Sequence, residues 1–137
     1  MAEIINQIPG FEKGSVQRIC ATDEVSALFL VAQVVSDLLS KWNTNVAFFS
    51  LTGRCEALQD LVKNESSIAK LFTVNQKNPD LQVILRKAKG LVNRKSVRAV
   101  FIEGLPEQTA VGEHWLELFA KSAGIPVVIV DWYKEEL

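Results

Sequence analysis

The chain has 137 residues, of which 48% are hydrophobic, and its formal net charge is −1. This length fits one domain with a sizeable core, and the composition excludes global disorder. No apolar run reaches the roughly 18 residues of a membrane-spanning helix, and the acidic start does not resemble a secretory signal. Two cysteines and one histidine argue against a disulfide framework and a histidine-based metal site. We therefore expect a cytoplasmic protein without a metal or cofactor.

The small net charge conceals an uneven distribution of charge. The segment from Arg86 to Arg98 contains six basic residues and no acidic one. These basic residues are Arg86, Lys87, Lys89, Arg94, Lys95 and Arg98. The rest of the chain holds nine basic and sixteen acidic residues, so a basic segment is set within an acidic domain.

The first half of the chain alternates between strand and helix patterns. After an opening segment over residues 1–14, alternating apolar residues predict a strand over Ser15–Ala21. Apolar positions at helical spacing predict a helix over Val25–Lys41. The nearly all-apolar segment Val46–Leu51 is typical of a strand covered on both faces. A short helix is predicted over Glu56–Val62.

The second half continues the alternation. The predicted elements are a short edge strand over Leu71–Val74, a helix over Asp80–Val92, a strand over Val97–Ile102, a helix over Thr109–Ala123 and a strand over Pro126–Val130. Pro79 is expected in the first turn of the helix that it opens. For the last helix, the predicted core positions are Val111, Trp115, Leu118 and Phe119.

This alternation predicts one α/β domain over residues 1–137. We expect a three-layer αβα sandwich with a mostly parallel sheet of four or five strands, because strands that alternate with helices form parallel sheets covered on both sides. In such sheets, ligands bind beyond the carboxyl ends of the strands. Residues at those ends are therefore the first candidates for a functional site.

The chain resembles the RecA-type ATPase core, and within it the DnaB-like branch of replicative helicases. The likeness rests on the lead-in Phe11–Ser15, on Val46–Leu51, which contains Phe-Ser-Leu, and on Val97–Glu103, which is similar to a Walker B strand. Leu116–Val130 is similar to the helix and strand that follow it in that family. The resemblance covers about residues 10–133 and implies a RecA-like fold.

The nucleotide-binding residues that the resemblance implies are missing. A phosphate loop needs glycines, a lysine and a Ser/Thr, but residues 21–26 contain neither glycine nor lysine. Instead, two acidic residues occupy a predicted helix N-terminus, where they would repel a triphosphate. The catalytic carboxylate position falls on Thr52. The degenerate nucleotide-site positions are Asp23, Glu24, Ser26, Thr52, Glu103 and Asp131.

Three other side chains have alternative interpretations. Glu103 is either a weak magnesium ligand or, as favoured, a loop residue with a local hydrogen bond. Cys55 follows Arg54 near a helix start, where its pKa would be lowered, but His114 is the only histidine available to activate it. Cys20 is expected in the core. We predict no catalytic, cofactor-binding or metal-binding residues.

The basic segment also has two interpretations. It is either a solvated helix face that balances an acidic domain or a surface for phosphate backbones or an acidic partner. No aromatic residue lies among residues 86–98, so the sequence gives no sign of base stacking in this segment.

The sequence therefore predicts a RecA/DnaB-like protein that is not an enzyme and acts by association. The expected partner is a second copy of the chain, forming a homodimer, or another protein. The setting would be DNA replication, DNA repair or the control of division, and no membrane partner is expected. Two alternatives stay open, a nucleic-acid-binding domain that uses Arg86–Arg98 and a weak nucleotide-binding ATPase.

Overall fold

The structure, a computed structural model, describes residues 13–62 and 70–132, so most of the opening segment lies outside the described residues. The first four elements are β1 (Val16–Ala21), α1 (Glu24–Ser40), β2 (Val46–Ser50) and α2 (Cys55–Val62). The remaining five are β3 (Leu71–Asn75), α3 (Leu81–Lys95), β4 (Ala99–Glu103), α4 (Ala110–Ala123) and β5 (Val127–Trp132). No helix in the described part of the chain is long and apolar enough to cross a membrane.

The five strands form one parallel sheet in the order β1–β5–β4–β2–β3. The apolar strands β2 and β4 lie inside the sheet and are buried along their whole length, as their near-continuous hydrophobic sequences predict. The strands β1 and β3 form the edges. The predicted α/β class is confirmed, with five strands.

Two hydrophobic clusters cover the two faces of the sheet. On the α1–α2 face, those helices pack against Phe48 and Phe101. On the α3–α4 face, Phe49 and Ile102 pack against the other two helices. Because side chains alternate along a strand, neighbouring residues of β2 and β4 contribute to opposite clusters. The arrangement is the predicted three-layer sandwich.

The helix α3 differs from its prediction at both ends. Asp80 caps its N-terminus by accepting a hydrogen bond of 2.9 Å from the backbone N–H of Gln82, so Pro79 precedes the cap and is not in the first turn. At the other end, the helix continues beyond Val92 to Lys95, where Ser96 adopts a left-handed conformation with φ 54°. Basic residues are favourable in a last helical turn because they oppose its negative dipole end.

The helix α4 turns a different stripe toward the core from the predicted one. Val111, Trp115 and Leu118 are 57%, 36% and 50% exposed, and Phe119 is half-buried. The buried positions are Gly112, Leu116 and Ala120. Both sets of positions recur at helical spacing. Gly112 and Ala120 lie one turn before and one turn after Leu116, and their small side chains allow α4 to lie close to the sheet. The predicted core positions Val111, Trp115 and Leu118 are therefore wrong, whereas the half-buried Phe119 packs against the core.

Candidate functional site

The connection between β1 and α1 consists of only Thr22 and Asp23. Asp23 caps α1, and its two carboxylate oxygens accept hydrogen bonds from the Ser26 backbone N–H at 2.8 Å and from the Ser26 hydroxyl at 2.9 Å. These hydrogen bonds hold the pKa of Asp23 below its ordinary value. A phosphate loop of the pattern G-x-x-x-x-G-K-[ST] needs a longer connection, whose N–H groups surround the phosphates.

Glu103, the last residue of β4, is only 3% exposed. It lies beside Ser50 because these two residues are register partners in adjacent strands. The Ser50 hydroxyl donates to Glu103 Oε2 at 3.2 Å, and the Thr52 hydroxyl donates to the same carboxylate, at 2.5 Å from Oε1 and 2.9 Å from Oε2. Ser50 Oγ also accepts a hydrogen bond of 2.8 Å from the Arg54 backbone N–H. Glu103 is thus a buried member of a network between strands and not a loop residue with a local bond.

The pKa of Glu103 reflects this buried position. Burial is the largest influence and raises the pKa above its ordinary value, while the hydroxyls of Thr52 and Ser50 lower it. The negative charge of Glu24 raises the same pKa, and the positive charge of Arg54 lowers it. The side chain is therefore more readily protonated than an exposed glutamate.

An ion pair closes the space above this network. Arg54 Nε lies against Glu24 Oε1, which joins the start of α1 to the turn before α2. Together with Glu103, Phe48 and Trp132, this pair lines a cavity of about 10 Å³, which is no larger than a single water requires. The chain's own side chains occupy the region between β4 and the start of α1.

Asp131 lies apart from these residues. Val130 packs in the cluster of the α1–α2 face and Ile129 in that of the α3–α4 face, so alternation along β5 turns Asp131 toward α4. There it lines a cavity of about 660 Å³ with Arg18. Burial raises the pKa of Asp131, and the charge of Arg18 opposes that shift. The sequence-predicted site is therefore divided between the two faces of the sheet.

The two cysteines differ from their predicted environments. Cys20, expected in the core, is exposed because β1 is an edge strand. Cys55 is 4% exposed, and burial raises the pKa of its thiol instead of lowering it. His114 is exposed on α4. Within residues 13–62 and 70–132, no three His, Cys, Asp or Glu side chains lie close enough together to hold a metal ion.

The structure does not gather the basic segment into one patch. Lys87 Nζ donates to Gln76 Oε1 at 2.7 Å, on the side of α3 toward β3. Arg98 is half-buried and donates to the carbonyl oxygen of Val97 at 3.0 Å. The side chain of Lys95, at the end of α3, is exposed. Arg94 lies within α3 and not in the turn after it.

The other two basic residues, Arg86 and Lys89, line a cavity together with Trp115 of α4. Sequence reasoning found no aromatic residue near the basic segment, because Trp115 is distant along the chain and was assigned to the core. The sequence contained one signal for this surface, because the exposed apolar residues of α4 recur at helical spacing. A buried core stripe has the same spacing, so the signal does not distinguish the two.

The strand order, the parallel register and the two covered faces together define a RecA-like α/β fold. The chain is similar to a KaiC-like protein from the hyperthermophilic archaeon Pyrococcus horikoshii OT3, with a TM-score of 0.70 and 12% sequence identity. The match covers 93% of this chain and 67% of the other. No family model matches the chain, and no curated protein sequence matches it.

Proposed function

We propose that this chain is a degenerate, DnaB-like member of the RecA fold class that does not hydrolyse ATP and acts by association. The observation that carries the proposal is the two-residue connection between β1 and α1. In nucleotide-binding folds, this connection supplies the N–H groups that bind phosphates.

The charges at this position also disfavour a nucleotide. Asp23 already satisfies the first N–H groups of α1, and Glu24 adds a second carboxylate to the first turn. A phosphate at the start of α1 would therefore meet the Asp23 carboxylate instead of free N–H groups, next to the Glu24 carboxylate that Arg54 already pairs with. The alternative of a weak ATPase requires these side chains to move away.

Measurement of phosphate release from MgATP tests the catalytic part of this proposal. We expect no turnover above the buffer rate, because Thr52, which cannot act as a base, occupies the position of the carboxylate that would activate water. Glu103 lies at the Walker B position, and it is already hydrogen-bonded to Thr52 and Ser50. Turnover by the wild-type protein that Glu103→Gln abolishes would contradict the proposal.

The proposed association uses the exposed apolar residues of α1 and α2. Val25, Phe29 and Leu30 are 62%, 57% and 45% exposed, and Leu61 is 40% exposed. Exposed apolar patches of this kind mark interaction surfaces. The described residues that line the groove of about 600 Å³ beside Phe29 are all uncharged. A second copy of the chain is therefore the simplest partner, because no like charges meet across a two-fold axis in this groove.

Sedimentation velocity tests the homodimer. A two-fold interface contains each residue twice, so Phe29→Glu would bury two carboxylates, and we expect it to convert the dimer into a monomer. Leu118→Glu places the same charge on the opposite side of the sandwich and serves as the matched control, which we expect to stay dimeric. A monomeric wild-type protein at all concentrations, or a dimer that survives Phe29→Glu, would exclude this interface. Roles in replication, repair or division control are part of the same proposal.

A further inference from the structure

The groove between α3 and α4 combines cations with an exposed aromatic ring. Its wider part is a cavity of about 480 Å³ lined by Gln82, Leu85, Arg86, Lys89 and Trp115. The groove continues along the same helices as a cavity of about 230 Å³, which Lys89 also lines. We propose that this groove binds single-stranded nucleic acid without sequence preference, with a base stacked on Trp115 and phosphates on the cations of α3.

Two cations of α3, Arg86 and Lys89, lie in the groove lining. They are three residues apart and are therefore neighbours on the helix surface. Lys89 lines both the wider part of the groove and its continuation. Such a pair of cations can bind phosphates of an extended strand.

No carboxylate interrupts this surface among the described side chains that line it. The helix α3 contains no acidic residue between Leu81 and Lys95. On α4, Glu113 and Glu117 are two residues from Trp115, which places them about 200° around the helix from the indole ring. Glu113 forms an ion pair with Arg18 on that far side. The groove is therefore a positively charged site next to an aromatic ring.

The two walls of the groove favour a nucleic acid over an acidic amphipathic helix. An amphipathic helix binds in a groove whose walls are apolar. Here four of the six α3 residues that line the groove are polar, namely Gln82, Arg86, Lys89 and Asn93, and the other two are Leu85 and Val92. The α4 wall presents the aromatic ring of Trp115, which is 36% exposed. Cations on one wall and an aromatic ring on the other match the backbone and the bases of a single strand.

Fluorescence polarisation with a fluorescein-labelled oligo(dT) of about 20 nucleotides tests the proposal. With two phosphate contacts, from Arg86 and Lys89, the expected loss of affinity between about 50 and 200 mM salt is about 7-fold. We expect Trp115→Ala to weaken binding about tenfold and Trp115→Phe to retain most of the affinity. Lys89→Glu should weaken binding, whereas Lys41→Glu, an equal charge reversal on exposed α1 surface, should have little effect.

Three results would overturn the proposal. The first is no binding of oligo(dT) by the wild-type protein at low salt. The second is an equal loss of affinity in Lys89→Glu and Lys41→Glu, because binding would then depend on overall charge only. The third is competition by polyglutamate as strong as that by unlabelled oligo(dT), which would assign the groove to acidic protein segments. None of these results bears on the proposed loss of ATP hydrolysis, because Glu103 belongs to the other face of the sheet.

Discussion

Replacement of Thr52 by Val tests the buried network around Glu103. Valine has the shape of threonine but lacks the hydroxyl that donates to Glu103 at 2.9 Å. Hydrogen bonds to a charged group contribute about 1.5–3 kcal/mol, and Glu103 cannot recover this one from solvent because it is 3% exposed. We expect Thr52→Val to lower the free energy of unfolding by about 2 kcal/mol at pH 8.

The pH dependence of this loss follows from the pKa of Glu103. Burial raises the folded-state pKa above the unfolded value, and the Thr52 hydroxyl opposes that shift. Thr52→Val therefore raises the folded-state pKa further. The loss of unfolding free energy caused by Thr52→Val has its full value at pH values where Glu103 is ionised in both proteins. This loss decreases as the pH falls, first through the folded-state pKa of Glu103 in the variant and then through that in the wild type. At pH 4 the remaining cost is that of a neutral hydrogen bond, about 1 kcal/mol.

Urea denaturation at both pH values measures these differences. A change of about 2 kcal/mol moves the midpoint by about 1 M for a protein of this size. Thr22→Val is the matched control, since the Thr22 hydroxyl is exposed and only 3.4 Å from its nearest carboxylate, and we expect it to change stability by less than about 0.5 kcal/mol. An equal cost of Thr52→Val at pH 4 and pH 8, or no cost at pH 8, would refute this reasoning.

Three further predictions follow from burial and backbone geometry. Leu116→Ala should lower the free energy of unfolding by about 2–5 kcal/mol, because Leu116 is fully buried. Leu118→Ala should change it by less than about 0.5 kcal/mol. Equal effects of the two substitutions in urea denaturation would contradict the assignment of the Leu116 stripe to the core. Gly90→Ala should stabilise α3 by about 1 kcal/mol, since the added Cβ meets only a flexible guanidinium, and a lower melting temperature would contradict this. Cys20, which is exposed, should react with Ellman's reagent in the folded protein, whereas Cys55 should react only after unfolding, because burial raises its pKa; equal rates would contradict the placement of Cys55.

The sequence pattern was sufficient for the order of elements and for the sheet interior. In an α/β chain, short apolar runs such as those of β2 and β4 are typical of strands covered on both faces. Both strands were therefore predicted within two residues of their observed bounds. The helix predicted over Val25–Lys41 is observed as α1 over Glu24–Ser40, with the apolar Val31, Val35 and Leu38 buried. The predicted ends of α3 were less accurate because capping depends on the conformations of Asp80 and Ser96.

The candidate site depended on facts that spacing along the chain does not contain. Glu103 is the last residue of β4 and Asp131 the second-last residue of β5. Alternation turns the first side chain toward α1 and the second toward α4, and only the exact strand bounds determine these directions. The stripe on α4 was misassigned because an exposed apolar stripe and a core stripe share the same period. The proximity of Trp115 to Arg86 and Lys89 depends on how α3 and α4 pack, so it appears only in the folded chain.

The stability of the protein in MgATP tests the central claim that the nucleotide position is closed. A ligand that binds the folded state with a dissociation constant of about 1 µM would add about 4 kcal/mol at about 1 mM ligand, which would raise the melting temperature by about 10 °C. The two-residue β1–α1 connection and the Glu24–Arg54 ion pair predict no increase above about 1 °C. An increase near 10 °C would contradict the account.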